Sequence, residues 1–79
     1  GWTVLFGGNA GTRPRFADVI ARNLSAEEAL DCARRLVEYY QNHAKPHERT
    51  ARFMERVGME TLKSDLLVFL PYIQIEKVS

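Results

Sequence analysis

A glycine-rich segment at residues 7–15 places the strongest constraint on how this chain can fold. It directly follows the apolar run Trp2–Phe6 and precedes every segment with a helical pattern. Three of its first five residues are glycines, which lets the backbone adopt positive φ angles and lets a ligand approach closely. A row of backbone N–H groups in such a loop can face an anion. We therefore predict that residues 7–15 form a loop that holds an anionic group.

Two arginines, Arg13 and Arg15, follow the glycines. Each guanidinium is planar and permanently charged, and its donors match a carboxylate or a phosphate. The segment departs from the common nucleotide-binding patterns, because Gly11 is followed by Thr12 rather than by lysine and no G-x-G-x-x-G run is present. These departures argue against ordinary nucleotide binding, and phosphate or nucleotide binding ranks last. A tight connection between two strands is the structural alternative.

The size of the chain predicts a piece of something larger. A domain of 79 residues, 46% of them hydrophobic, buries only about 60% of the surface that its unfolded chain exposes. It also begins with Gly1 and a strand-like run instead of an initiator methionine, so we expect residues 1–79 to be a single fragment. The net charge of +1 argues against binding to nucleic acid by counterion release. No apolar stretch of about 18 residues and no signal-peptide pattern points to a membrane or to export.

Cys32 is the only cysteine in the sequence. It excludes an internal disulfide and any cysteine-only metal site within this chain, and the composition fits a reducing cytoplasm, which is the predicted compartment. Its place on or beside an apolar helix face predicts a buried, inert thiol. His43 and His47 have a spacing that can bind a metal on one helix, but Pro46 interrupts that helix. We therefore assign no metal ligand and no catalytic residue to this chain.

The hydrophobic pattern predicts an α+β fold, in which short strands at the N-terminus, and a candidate strand at the C-terminus, pack with two or three α-helices. The run Trp2–Phe6 is β-branched and aromatic and stops at a glycine pair, which is typical of a strand. Residues 16–24 are a candidate second strand that pairs back, although their periodicity is irregular. Residues 72–78 follow Pro71 and alternate in the manner of a strand.

Three helices are predicted between these strands. Ser25 as N-cap and Glu28 three residues later form a capping box, and this first helix should end near residues 42–45, because Pro46 disfavours helical geometry before it. A second helix is predicted from Pro46 to a left-handed C-terminal cap at Gly58, and a third over residues 60–67. The predicted apolar face of the first helix consists of Ala29, Leu30, Cys32, Ala33, Leu36, Val37, Tyr39 and Tyr40.

The second predicted helix carries charges of both signs. Its arginines recur at a spacing of three to four residues, which can form a basic stripe for a partner or a cofactor. Acidic side chains interleave with them, and we therefore expect a salt-bridged, solvated face. These residues are Arg49, Arg52, Arg56, Glu48, Glu55 and Glu60.

The loop and its surroundings resemble a known family. The chain resembles the C-terminal part of siroheme-dependent nitrite and sulfite reductases. The resemblance rests on a strand followed by GGN, GTR and PR, then a short apolar segment, a capped helix, and Arg-Phe and Val-Gly pairs on a following helix. The resemblance covers residues 2–67, and its most specific part is the loop. Assimilatory sulfite reductases have longer spacers between these motifs. The shorter loop here is closer to the nitrite reductase type and leaves the substrate open.

The resemblance implies that the parent protein carries siroheme, bridged by a cysteine thiolate to a 4Fe-4S cluster, and reduces nitrite or sulfite by six electrons. Siroheme is ringed with carboxylates, which suit backbone donors followed by arginines. We expect backbone contacts from residues 7–11, a polar contact from Asn9 or Thr12 and charge pairing from Arg13, whereas Arg15 either contacts the cofactor or braces the loop. The predicted cofactor-binding residues are Gly7, Gly8, Asn9, Gly11, Thr12, Arg13 and Arg15.

The predicted function is that of a cofactor-contacting, C-terminal portion of such a reductase. The fragment alone should be inactive and hold no cofactor, because it lacks the cluster cysteines and the basic substrate-binding residues of the family. Its expected partners are the remainder of its own polypeptide and an electron-donor protein or domain. The alternative is a stand-alone interaction module or homodimer that docks through its helical face or through residues 66–70, which are more apolar than a short monomer normally exposes.

Overall fold

A computed structural model describes residues 1–73 of the chain. Within them the elements follow in the order β1 (Trp2–Phe6), β2 (Asp18–Leu24), α1 (Ala26–His43), α2 (Thr50–Val57) and α3 (Met59–Leu67). Two strands and three helices in the described residues confirm the predicted α+β class. None of these helices combines the length and the apolar character needed to cross a bilayer.

The strands β1 and β2 form a two-stranded antiparallel sheet. The second strand therefore pairs back as predicted, although it starts at Asp18, two residues later than the candidate segment. The register pairs Val4 with Ala21 and Phe6 with Asp18, and it is irregular on both sides of Val4. The connection between the strands, residues 7–17, contains the glycine-rich loop, so the loop lies at one end of this hairpin.

Helix α1 begins at the predicted capping box and ends at His43, within the predicted window. The Ser25 hydroxyl accepts a hydrogen bond from the Glu28 amide at 3.1 Å, and the Glu28 carboxylate accepts one from the Ser25 amide at 2.8 Å. Two amides of the first turn are thereby satisfied by side chains next to them in sequence. This local closure explains why the start of α1 could be predicted to the residue.

Replacing Ser25 with alanine is expected to lower the free energy of unfolding by about 1 kcal/mol, because the Glu28 amide loses its acceptor. Urea denaturation of the variant and the wild type measures the difference. Ser64→Ala is the matched control, since Ser64 is exposed within α3 and caps no helix. An unchanged stability in Ser25→Ala would show that the capping box contributes nothing to this fold.

The predicted apolar face of α1 was too broad. Cys32 and Leu36 are buried, whereas Leu30 and Val37 are 68% and 50% exposed, and Ala33 is exposed as well. A helix on the surface of a small domain packs against its neighbours along one stripe, and apolar residues outside that stripe face solvent. The described residues cover α1 on one side, so the wide apolar pattern exceeds the surface that they can bury.

Helix α2 begins at Thr50, four residues later than the predicted start at Pro46. His47 adopts a φ of 63°, which lies in the left-handed region and cannot continue a helix. The Glu48 carboxylate accepts hydrogen bonds from Arg56 at 2.7 and 2.8 Å and so ties this turn to α2. These bonds from Arg56 lower the pKa of the Glu48 carboxyl to about 2.

Gly58 ends α2 with a positive φ of 85°, as the predicted glycine cap requires, but its ψ of 148° is not that of a left-handed cap. The chain therefore leads directly into α3, which confirms the predicted third helix and extends it by one residue to Met59. Of the predicted C-terminal strand, Tyr72 lies in a turn. Residues 74–78 of that prediction lie outside the described residues.

The core lies between the sheet and the helices. Phe53 is fully buried at its centre, with its ring edge-on to Tyr40 at 5.2 Å and to Tyr39 at 6.0 Å between centroids. Strand β2 and all three helices contribute fully buried residues to the core. Strand β1 contributes only Val4 and Phe6, which are half-buried and pack against it. The other buried apolar residues are Ile20, Ala21, Leu24, Cys32, Leu36, Ala51, Met54, Leu62, Leu66, Leu70 and Ile73.

Candidate anion-binding loop

The glycine-rich loop is closed at its base by backbone pairing. Asn9 and Arg15 exchange two hydrogen bonds, of 2.9 and 2.8 Å. The Asn9 side chain then shapes the tip, because its Oδ1 accepts from the Gly11 amide at 3.0 Å and its Nδ2 donates to the Arg13 carbonyl at 3.1 Å. Both ends of the Asn9 amide are thus used within the loop, whereas Thr12 is exposed at the tip.

Arg15 braces the loop from inside. Its Nη1 donates to the carbonyls of Gly7 at 3.1 Å and Phe16 at 3.3 Å, and its Nη2 donates to the Asp18 carboxylate at 2.7 Å. The side chain is 21% exposed. Of the two roles left open for Arg15, the geometry favours bracing, because its terminal nitrogens already have acceptors within the hairpin.

Gly7 serves packing beneath the loop. It is buried and has a φ of 87°, and a Cβ placed on it would lie 2.6 Å from Met54 Cγ and 3.1 Å from Arg15 Nη1. A side chain at this position would be strained and would collide with both the core and the brace. Gly11 differs, since a Cβ there would meet the side chain of Asn9 at 3.2 Å. The glycines of the loop therefore have different roles.

Arg13 is the cation that the loop presents outward. Its side chain is 71% exposed, and its Nη2 lies 3.7 Å from Glu55 Oε2, which is longer than a hydrogen bond. Its carbonyl, by contrast, accepts a hydrogen bond of 2.7 Å from Arg52 Nη2 on α2. The backbone of Arg13 is therefore fixed while its guanidinium stays open to an external anion.

Glu55 on α2 lies close to three arginines at the loop. Its carboxylate contacts Arg52 and lies 3.9 Å from the Nε of Arg15, in addition to its pair with Arg13. With Asp18, this cluster holds three arginines and two carboxylates, so one positive charge remains uncompensated. An anionic group at the loop would complete the balance.

An open groove of about 660 Å³ lies along one side of the loop. It adjoins Phe16, whose side chain is 97% exposed. The groove is lined mainly by small and apolar residues, and Arg13 directly precedes the lining residue Pro14, so this side of the loop suits a ligand that has an apolar body and a carboxylate. Its lining residues are Gly8, Asn9, Ala10, Pro14, Arg15, Phe16 and Ala17.

The structure divides the predicted site residues into three groups. Gly8, Asn9 and Arg15 line the groove; Gly11, Thr12 and Arg13 are exposed at the tip; and Gly7 is buried underneath. Two residues of α2 contact the loop, Arg52 and Glu55, which the sequence pattern had placed only on a salt-bridged, solvated face. Arg52 and Glu55 are three residues apart on one helix face, and their ion pair agrees with the predicted salt-bridged face. Nothing in the pattern indicated that Arg52 also reaches Arg13.

The same chain does not fit a 4Fe-4S cluster by itself. Such a cluster is held by several thiolates, and the sequence has one cysteine. Cys32 is fully buried, and burial raises the pKa of its thiol, which disfavours the thiolate that iron requires. Among residues 1–73, no group of three or more His, Cys, Asp or Glu side chains is placed to hold a metal ion.

Comparison with known proteins identifies the family. The family model described as "Nitrite and sulphite reductase 4Fe-4S domain" matches residues 1–70. An assimilatory-type sulfite reductase of Nitratidesulfovibrio vulgaris is 37% identical over 67 residues, which cover 85% of this chain and 31% of the relative. The NAD(P)H nitrite reductase of Bacillus subtilis is 38% identical over 66 residues, which cover 84% of this chain and 8% of the relative.

A third relative extends the same pattern. The NADH nitrite reductase large subunit of Escherichia coli is 30% identical over 69 residues, which cover 85% of this chain and 8% of the relative. The chain thus spans less than a third of the length of these curated relatives, all of which are named as reductases. No solved structure gives a significant match. Since the family model covers most of its length, the chain belongs to the nitrite and sulfite reductase 4Fe-4S domain family.

Proposed function

We propose that this chain contributes the loop that binds a carboxylate of siroheme in a larger nitrite or sulfite reductase. One observation carries the proposal: Arg13 presents a 71% exposed guanidinium from a backbone that is held by α2. A pre-positioned guanidinium is suited to hydrogen bonding with a carboxylate. The donor set therefore fits the periphery of a carboxylate-rich tetrapyrrole.

The residues of the loop would divide the work of binding. Arg13 donates to the carboxylate, and the exposed Thr12 at the tip adds a polar contact, whereas the Gly11 amide already donates to Asn9. Asn9 and Arg15 keep the loop in shape through their internal hydrogen bonds. Siroheme supplies the redox chemistry when bound, namely the six-electron reduction of nitrite or sulfite.

The remaining parts of the site would come from outside this chain. The cluster ligands are assigned to the rest of the polypeptide, because a cluster needs several thiolates and this chain has only Cys32. The substrate-binding cations are assigned to the rest of the polypeptide as well. An electron-donor protein or domain is the second proposed partner. The reducing cytoplasm is the proposed compartment, since the composition includes one cysteine and that cysteine is buried.

Replacing Arg13 with alanine in the full-length reductase is expected to weaken siroheme binding by about tenfold or more. A hydrogen bond to a charged group contributes about 1.5 to 3 kcal/mol, which corresponds to that factor. Absorbance titration of siroheme into the apoprotein measures the change. Arg22→Ala is the matched control, because Arg22 is exposed on β2 and lies outside the loop. Full occupancy with unchanged reduction rates in Arg13→Ala would refute the proposed role.

A second candidate function is a docking surface at the end of α3. Residues 66–70 differ in their exposure. Leu66 and Leu70 are buried, whereas Leu67, Val68 and Phe69 are 39%, 80% and 55% exposed. Exposed apolar residues of this kind suit either the rest of the polypeptide or a second copy of the chain. Sedimentation velocity of the 79-residue chain separates these cases, since a monomer at high concentration excludes a homodimer.

A further inference from the structure

We infer that Arg52 is a positioning residue, which sets the direction of Arg13 toward the bound anion without touching that anion itself. The inference rests on the proposed function of the loop. Arg52 lies on α2, and its side chain is 28% exposed. It acts on Arg13 through the backbone of that residue, across 39 positions of sequence.

The guanidinium of Arg52 joins two elements at once. Its Nη2 donates to the Arg13 carbonyl at 2.7 Å, and its Nη1 contacts the carboxylate of Glu55 one turn further along α2. Because the guanidinium is planar and rigid, its two contacts fix each other's direction. Glu55 thereby orients the donor that Arg52 offers to the loop.

This contact complements the hydrogen bonds inside the loop. Asn9 Nδ2 donates to the same Arg13 carbonyl at 3.1 Å, so the carbonyl has one donor from the loop and one from a helix. Asn9 belongs to the same hairpin as Arg13. Arg52 instead connects the tip of the loop to the packed core, because α2 also carries the buried residues Phe53 and Met54.

Arg52→Lys separates this role from the charge of the residue. Lysine keeps the positive charge but lacks the planar fork that reaches Arg13 and Glu55 together. In the full-length reductase, siroheme titration by absorbance should show about tenfold weaker binding, the lower end of the loss that follows when the partner orienting a metal ligand is removed. Arg34→Lys is the control, because Arg34 is exposed on α1 and lies outside the loop. Arg52→Met, which has no donor, is the second variant and should show at least the same loss.

A double variant shows whether Arg52 acts through Arg13. Coupled residues give non-additive effects, so Arg52→Lys should cost about tenfold in the wild type and little in an Arg13→Ala background. Amide hydrogen exchange at the loop tip should also rise in Arg52→Lys, while circular dichroism and the melting temperature report whether the fold is intact. A purely structural role would lower the melting temperature and leave the affinity of the folded protein unchanged.

The outcomes distinguish this inference from the proposed function. Arg13→Ala with unchanged siroheme affinity overturns the proposed function. Weaker binding in Arg13→Ala together with unchanged binding in both Arg52 variants overturns the positioning role alone. An equal loss from Arg52→Lys in both backgrounds also overturns it, because Arg52 would then act independently of Arg13.

Discussion

Replacing Phe53 with alanine will lower the free energy of unfolding by about 3–5 kcal/mol. The side chain is fully buried, and its ring packs edge-on against Tyr39 and Tyr40 with the guanidinium of Arg56 5.6 Å from its centroid. Truncation removes the aromatic contact that joins α1 to α2. A chain of this size has a total stability of about 4–12 kcal/mol, so we expect the variant to be marginally folded in urea titrations followed by circular dichroism.

Phe16→Ala is the matched control for this prediction. Phe16 is 97% exposed, so the same change of side chain should alter the stability of the 79-residue chain by less than about 0.5 kcal/mol. A loss below about 1 kcal/mol for Phe53→Ala would mean that the core can collapse around the missing ring, contrary to its central position.

Replacing Gly7 with alanine is the second large effect, an expected loss of about 2–5 kcal/mol in the free energy of unfolding. A non-glycine residue at positive φ costs about 1–2 kcal/mol, and overpacking adds about 1–3 kcal/mol. Both terms apply, because φ is 87° and the new Cβ would lie 2.6 Å from Met54 Cγ. Urea denaturation measures the loss, and amide hydrogen exchange should show whether the loop opens with it.

Gly11→Ala provides the comparison within the same loop. Its added methyl group would meet Asn9 at 3.2 Å, so a change of less than about 1 kcal/mol is expected. Equal losses in the two variants would contradict the distinction between Gly7, which packs against the core at positive φ, and Gly11, whose added methyl group would meet only the exposed part of the loop. Wild-type stability in Gly7→Ala would show that Met54 and the backbone adjust without cost.

The parts of the fold that could be predicted depend on interactions between neighbours in sequence. The capping box at Ser25 joins two residues three positions apart, and the end of β1 follows from the adjacent glycines. The start of α2 was predicted incorrectly because Pro46 is compatible with a first helical turn. The left-handed His47 and the contact of Glu48 with Arg56 depend on where the helices pack, which local pattern does not reveal.

For the candidate site, the sequence indicated the loop but not the different structural roles of its residues. Gly7 and Gly8 are neighbouring glycines that a sequence pattern cannot tell apart. In the fold, Gly7 is buried against Met54, whereas Gly8 lines the groove. Arg13 and Arg15 have the same chemistry, and their different exposure follows from the position of Asp18 in β2. The role of Arg52 depends on a contact between distant segments, so spacing alone could not reveal it.

The paired backbones of Asn9 and Arg15 also separate the tip of the loop from the sheet. The strand register is set on one side of this pair, and residues 10–14 lie on the other. Insertions in an exposed loop cost little when its ends are already held together. The tip can therefore gain or lose residues during evolution while the hairpin, its brace and the core beneath it stay in place. The length of the chain between residues 9 and 13 can thus change without disturbing the strand register.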